Sequence, residues 1–193
     1  MNYKDQTHIE IRFSGFGGQG LVLASIIMAE AMIEEGFNII QGQSHGIEAR
    51  GGTSRGELIA SKEEIYDLML ERPDIFLAMS EKACNRYYDQ IKKDALVILD
   101  SSQIKQIPTF NSCNVYAFPF TRLLKEQFNN VLPANICFLG AIVGLTAITS
   151  EKDMKEAILK RVPKASQELN VSAFNLGLEL AQSATPLKMG ECA

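Results

Sequence analysis

The chain has 193 residues, of which 46% are hydrophobic and 22% charged, with a net charge of -4. That balance belongs to an ordinary globular protein, not a disordered one, and the negative charge gives no general electrostatic footprint for nucleic acid. The opening Met1-Asn2-Tyr3-Lys4-Asp5-Gln6 has no apolar signal region, so we expect a cytoplasmic chain folded as one domain over 1–193, with an ordered core over about 8–184 and a tail over 185–193.

The first element is a strand in which Ile9, Ile11 and Phe13 face one way and Glu10 and Arg12 the other. A strand covered on both faces should be apolar on both. Glu10 and Arg12 therefore either pair within the sheet or meet solvent or a partner, and the sequence leaves both open. The strand runs into Gly15-Phe16-Gly17-Gly18-Gln19-Gly20, which fits G-x-G-x-x-G in its strand–loop–helix setting. Glycines there permit a sharp turn and close backbone approach, and the following helix offers free N–H groups at its positive end.

That helix is expected over residues 19–35, with Val22, Ile26, Ala29 and Ile33 on one stripe and Gly36 just past its end. The second strand reads Phe37-Asn38-Ile39-Ile40-Gln41-Gly42. A dinucleotide site calls for Asp or Glu at the end of that strand. Gln41 stands there instead, and Glu34 and Glu35 belong to the helix. Three readings stay open for the glycine turn: close packing alone, a dinucleotide, or contact with another group or subunit.

The next stretch, Gln43-Ser44-His45-Gly46-Ile47-Glu48-Ala49-Arg50-Gly51-Gly52-Thr53-Ser54-Arg55-Gly56, reads as a long loop that is costly to order unless something holds it. It is expected beside the glycine turn, outside the carboxyl ends of the strands, where ligands bind in α/β sheets. Arg50 or Arg55 can fork onto a carboxylate or phosphate, or else pair with Glu48 and staple the loop. His45 has no second and third metal ligand near it in sequence and reads as a structural or interface residue, not a catalytic one.

Residues 55–60 and 64–66 are expected to pair as a hairpin. The apolar runs at 74–79 and 95–100 predict covered strands, with a crossover helix at 81–92 between them. A shorter strand at 114–118 ends at Pro119. Residues 134–149 form the most apolar segment, too short to span a bilayer and expected as a buried helix with Gly140 and Gly144 on one face. Ser150-Glu151-Lys152-Asp153 resembles a capping box opening a helix to Arg161, and Val171, Phe174 and Leu178 mark a last helix. The fold class is α/β: a Rossmann-like domain with a mixed, mostly parallel sheet, helices on both faces and a β-hairpin insertion.

Cys84, Cys113, Cys137 and Cys192 are dispersed, without a C-x-x-C pair. They are not spaced as iron–sulfur or structural zinc ligands and read as reduced thiols. No nucleophile–base set is defensible, so no residue is assigned as catalytic and no metal site is expected.

Gly15-Phe16-Gly17-Gly18-Gln19-Gly20, Ser44-His45-Gly46-Ile47-Glu48-Ala49-Arg50-Gly51-Gly52, Pro73-Asp74-Ile75 and Asn135 with Leu139-Gly140-Ala141 together resemble the gamma subunit of 2-oxoacid:ferredoxin (acceptor) oxidoreductases. The resemblance runs from Ile9 to Ala181, and Ser54-Arg55-Gly56-Glu57-Leu58-Ile59-Ala60-Ser61 leans towards the 2-oxoglutarate branch. His45 stands where the family usually carries an aromatic. The resemblance implies a complex that oxidatively decarboxylates a 2-oxoacid and joins the acyl group to coenzyme A. Thiamine diphosphate would lie between alpha and beta subunits, and iron–sulfur clusters, with a ferredoxin-like delta subunit, would pass electrons to ferredoxin or a related acceptor. This chain would bind no cofactor alone. Its Gly15, Gly17, Gly18, Gln19 and Gly20 would face the CoA path or a subunit, and Ser44, His45, Glu48, Arg50, Gly51 and Gly52 would form an interface or ligand loop. The alternatives are a free-standing nucleotide-binding oxidoreductase and a ligand-free scaffold.

Overall fold

The computed structural model describes residues 3–45, 52–110 and 112–187, and among these described residues six strands and six α-helices organise the fold. In order they are β1 (His8–Phe16), α1 (Leu21–Glu34), β2 (Asn38–His45), β3 (Thr53–Ser61), β4 (Ile75–Ala78), α2 (Glu81–Tyr87), β5 (Leu96–Asp100), β6 (Asn114–Phe118), α3 (Phe120–Phe128), α4 (Ala134–Thr146), α5 (Glu151–Arg161) and α6 (Gln167–Gln182). The sheet order is β2-β3-β1-β4-β5-β6. β1, β4, β5 and β6 are parallel, and β3 runs antiparallel to both its neighbours, β1 and β2. The sheet is therefore mixed and mostly parallel, as the sequence predicts.

The alternation in β1 sorts its side chains onto two faces. Ile9, Ile11 and Phe13 join Leu58, Ile75, Leu77 and Ile98 beneath α1, α4 and α6. Phe76, Ala78, Val97, Leu99 and Val115 pack on the other face against Cys84 and Tyr87 of α2. Both faces carry helices, unequally. On the second face Arg12 is 2% exposed and meets Glu57, while Lys92 bridges Glu10 and Asp74. Pairing within the molecule thus decides the question β1 leaves open.

The apolar segment after Pro133 is α4, and its glycines have a clear use. A Cβ on Gly140 would fall on the Phe174 carbonyl oxygen, and one on Gly177 on the Cys137 carbonyl oxygen. Bare backbone lets α4 and α6 lie against each other. Ser150 caps α5, accepting from the Asp153 N–H at 3.1 Å, while its own N–H donates to Glu35 Oε1 at 2.7 Å.

Three expectations need correction. Residues 64–66 form no strand, because both edges of β3 are already taken by β1 and β2; the hairpin is β2–β3. Gln43, Ser44 and His45 lie in β2, and Thr53, Ser54, Arg55 and Gly56 lie in β3, so much of the expected loop is ladder. The crossover helix closes at Tyr87, not Lys92, and the chain then turns through Asp94 at φ 62°. α3, which periodicity did not reveal, is held at its start by Asp100, which accepts from the Thr121 N–H at 3.1 Å.

Candidate functional site

The sheet changes direction between β1 and β4. The chain leaves β1 through α1 towards β2 on one side, and leaves β4 through α2 towards β5 on the other. Such a switch point opens a crevice outside the carboxyl ends of the strands. Here it is a cavity of about 250 Å³ lined by Gly18, Gln19, Met79, Gln103, Thr121 and Leu132 among others.

Helix starts gather around it. Ser80 caps α2, its Oγ accepting from the Ala83 N–H, and at the start of α3 Asp100 accepts from the Thr121 N–H and Ser102 Oγ from the Arg122 N–H. α1 begins at Gly20 and α4 at Pro133, neither with a side-chain cap. At α4 the backbone closes the start, the Ala134 N–H donating to the Val131 carbonyl at 3.2 Å and the Ile136 N–H to the Pro133 carbonyl at 3.1 Å, whereas α1 opens at left-handed Gly20 with no capping side chain and a dipole end that favours an anion. Leu132, 79% exposed, forms an apolar lip beside them.

The glycines divide by what the fold demands of each. A Cβ on Gly15 would strike Gln19 Oε1, which accepts from the Phe16 N–H at 2.6 Å while Gln19 Nε2 donates to the Met79 carbonyl at 3.2 Å. Gln19 is thus the internal brace of the turn. Gly18 and Gly20 have φ of +87° and +71°, conformations that disfavour any side chain. Gly20 is further pressed by Asn135, whose Nδ2 donates to its carbonyl at 3.0 Å. Gly17 has neither constraint: its φ is not left-handed, and nothing lies within 4 Å of an added Cβ.

The second motif meets the same edge. In the ladder Phe16 pairs with Thr53 and His45 with Ser54, so the chain enters and leaves the segment between them beside the glycine turn. Ser44 is exposed and paired with Arg55, and Gly52 is half-buried before β3. Glu48, Arg50 and Gly51 lie outside the described residues, as does the expected Glu48 staple. Arg55 instead reaches Glu57 at 3.5 Å and stands 5.7 Å from the centre of the Tyr87 ring, which Arg12 and Arg86 also approach, at 5.3 and 5.5 Å. Arg86 donates to Thr53 Oγ1 at 2.8 Å, tying α2 to the start of β3.

Gln41, at the ribose-acid position, donates from Nε2 to Ser25 Oγ at 3.0 Å and serves packing between β2 and α1. Among the described residues no group of three or more His, Cys, Asp or Glu side chains is placed to hold a metal ion. Burial, helped by Glu81, pushes the Cys84 thiol up to about 12, and burial also raises Cys137 and Cys113; none is an activated nucleophile. Sequence reading missed Asp100, Thr121 and Leu132. Asp100 closes a strand and Leu132 precedes a proline, and neither position carries a motif.

A mixed Rossmann-like sheet with a braced glycine turn at its switch point defines a family. Residues 10–180 match the model of the pyruvate ferredoxin/flavodoxin oxidoreductase family, and the chain belongs to it. It is similar to 2-oxoglutarate synthase subunit KorC of Methanocaldococcus jannaschii, with 40% identity over 90% of this chain and 94% of that protein. It is equally similar in sequence, at 40%, to the gamma subunit of a keto/oxoacid ferredoxin oxidoreductase from Geobacter sulfurreducens, whose structure superposes with a TM-score of 0.81 over 91% of this chain and 99% of that one. The 2-oxoglutarate:ferredoxin oxidoreductase of Magnetococcus marinus shares the fold, with a TM-score of 0.84 and 24% identity, over 95% of this chain and 32% of that longer chain.

Proposed function

We propose that this chain is the non-catalytic gamma subunit of a cytoplasmic 2-oxoglutarate:ferredoxin oxidoreductase. The end-to-end correspondence with subunit KorC of a 2-oxoglutarate synthase carries the reading. In the reaction the bond between the carboxylate and the oxo carbon breaks to release CO2. A thioester forms with coenzyme A, and an electron pair passes to an iron–sulfur acceptor. Thiamine diphosphate between alpha and beta subunits, clusters in a ferredoxin-like delta subunit, and ferredoxin complete the assembly in this reading. The described residues of this chain offer no metal-ligand set for such clusters.

Coenzyme A suits the crevice. Its phosphates match the uncapped start of α1, and Gly17 and Gly18 leave the backbone open to approach. Leu132 offers an apolar surface to the rest of the molecule. Gly15, Gln19 and Gly20 would then set the turn, while Ser44, His45, Glu48, Arg50, Gly51 and Gly52 meet a partner subunit at the same edge. A free-standing nucleotide enzyme is disfavoured because Gln41 is engaged with Ser25 and no acid replaces it.

The test is reconstitution. The purified chain alone should show no 2-oxoglutarate oxidation with thiamine diphosphate, CoA and ferredoxin present. Co-expression with the alpha, beta and delta subunits should restore turnover that prefers 2-oxoglutarate over pyruvate. Turnover by the chain alone, or equal use of both acids, overturns the reading.

A further inference from the structure

The α-helices end in two ways. α2 carries Arg86 in its last turn, α3 Lys125, and α5 Lys160 and Arg161, cations that answer the negative end of the helix dipole. α1, α4 and α6 have no basic residue in their last turns. The carboxyl ends of these three helices meet at one place. It is a cavity of about 600 Å³ lined by Glu35 just after α1, Gly144 and Ala147 at the end of α4, and Gln182 at the end of α6. It lies at the end of the sheet where β1 and β2 begin, opposite the glycine turn, and shares no lining residue with the crevice there.

Phe37, Val143, Ile148 and Leu178 are buried and give the cavity an apolar wall. Its charged residues are Glu35, Glu151 and Lys62. Glu151 reaches Lys155 at 3.3 Å, and Lys62 Nζ donates to the Glu35 carbonyl while standing 3.9 Å from the centre of the Phe37 ring. A resident ammonium thus rests on a helix-end carbonyl and an aromatic face, and the cavity is the space that remains with it in place. The start of α5, a positive helix end, is already answered by Ser150 as its cap and by Glu151 and Asp153 in its first turn. The side-chain charges balance in pairs, and three carboxyl ends, each equivalent to about half a negative charge, leave the cavity negative.

We propose that this cavity is a second ligand site, for a small organic ammonium borne on an apolar chain or ring. The ammonium sits against the carboxyl ends of α4 and α6 with Glu151 beside it, and the apolar part lies on Phe37, Val143, Ile148 and Leu178. The volume falls within the range of small-molecule sites, about 300–1,000 Å³. Half apolar wall and half helix-end carbonyl suit an amphipathic cation, as the seat of Lys62 illustrates. The same three helix ends disfavour an anion, so neither a phosphate nor a carboxylate belongs here.

The full-length chain is titrated near neutral pH with phenethylamine, and with 2-phenylethanol and phenylacetate as neutral and anionic counterparts, by calorimetry and melting temperature. Only the amine should bind and raise the melting temperature. Gln182→Lys gives α6 the terminal cation that α2, α3 and α5 possess; Gln182 is exposed, so the fold should hold while amine affinity falls about fivefold or more. Glu151→Gln should also weaken the amine, and Lys62→Met should strengthen it, because the Phe37 ring and the Glu35 carbonyl then lose their resident ammonium. Equal binding of the three compounds, no binding of the amine, or amine binding that Gln182→Lys leaves unchanged overturns the proposal. Nα-acetyl-lysine methylamide is the last arm. If it binds and phenethylamine does not, the cavity receives a lysine side chain of another protein, and the small-molecule assignment fails.

Discussion

Arg12 and Glu57 sit opposite each other on adjacent antiparallel strands, and Arg12 Nε donates to Glu57 Oε1 at 2.7 Å in the protein interior. The rest of the guanidinium is also used. Nη1 donates to the Gln90 carbonyl and Nη2 to the carbonyls of Leu70 and Glu71, with the Tyr87 ring alongside. One charged side chain thus ties β1, β3 and two irregular segments over the second face of the sheet. A buried charge persists because each guanidinium nitrogen has an acceptor, and its value lies in that network more than in the ion pair.

Removing one member should therefore cost much more than removing both. Arg12→Met leaves Glu57 only its longer contact with Arg55, at 3.5 Å, and removes the guanidinium donor from three carbonyls, and it should destabilise the isolated chain by about 3 kcal/mol. Arg12→Met with Glu57→Leu should recover a large part of that loss. Urea denaturation of the two variants beside the wild type checks this; equal losses for the single and double changes would show that the carbonyl contacts, not the pair, dominate.

The α4–α6 contact predicts a sharp difference between glycines. Gly140→Ala places a methyl on the Phe174 carbonyl, a backbone atom that cannot swing aside. The helix gains about 1 kcal/mol of propensity, but overpacking against backbone should leave a net loss of about 1–3 kcal/mol. Gly177→Ala should behave alike. Because both widen one interface, the double variant should lose less than the sum in thermal or chemical unfolding.

Much of this was legible in the sequence, for stated reasons. The covered strands β4 and β5 read as apolar runs, the α5 cap as Ser150 and Asp153, and the switch-point turn as spaced glycines, because each signal is local. What failed was non-local. Residues 64–66 have strand-forming residues, but β1 and β2 had already taken both edges of β3. Arg12 is unreadable as a core residue until Glu57 and the carbonyls of residues 70, 71 and 90 are brought to it from distant sequence. At the site, Gln19 as a brace for Gly15 and Asp100 as the cap of α3 depend on the same kind of placement.

Stability should fall on the alkaline side. Burial holds the Cys84 thiol neutral and raises it from 9.0 to about 12. Burial first, then Asp74, raises Tyr3 from 10.0 to about 12. A group raised in the folded state contributes fully below its unfolded pKa and loses that contribution as pH climbs towards the folded value. Melting temperature should be level below pH 9 and decline above it, Cys84 alone costing about 1.4 kcal/mol by pH 10. Lys92 adds to the decline at higher pH: burial lowers it, but Asp74 and Glu10 together raise it. Cys84→Ala should flatten the slope between pH 9 and 10; an unchanged slope would assign it to other groups.

The glycine turn separates fold from function in one comparison. Gly20→Ala should destabilise the isolated chain, since φ is +71° and a Cβ would lie 2.5 Å from Asn135 Nδ2; left-handed strain alone costs about 1–3 kcal/mol. Gly17 carries neither constraint, so Gly17→Val should leave the unfolding free energy within about 0.5 kcal/mol of wild type, the usual range for an exposed change. If the open backbone at Gly17 and Gly18 meets CoA phosphate, Gly17→Val should raise the KM for CoA in the reconstituted enzyme without changing recovery of the complex. If that edge meets a subunit instead, recovery should fall and the KM should hold. Arg50→Ala, beyond the described residues, belongs in the same assay as a forked cation expected to weaken assembly or CoA-dependent turnover and not the fold. Wild-type KM, recovery and turnover for both Gly17→Val and Arg50→Ala would move the working surface away from the carboxyl ends of the strands.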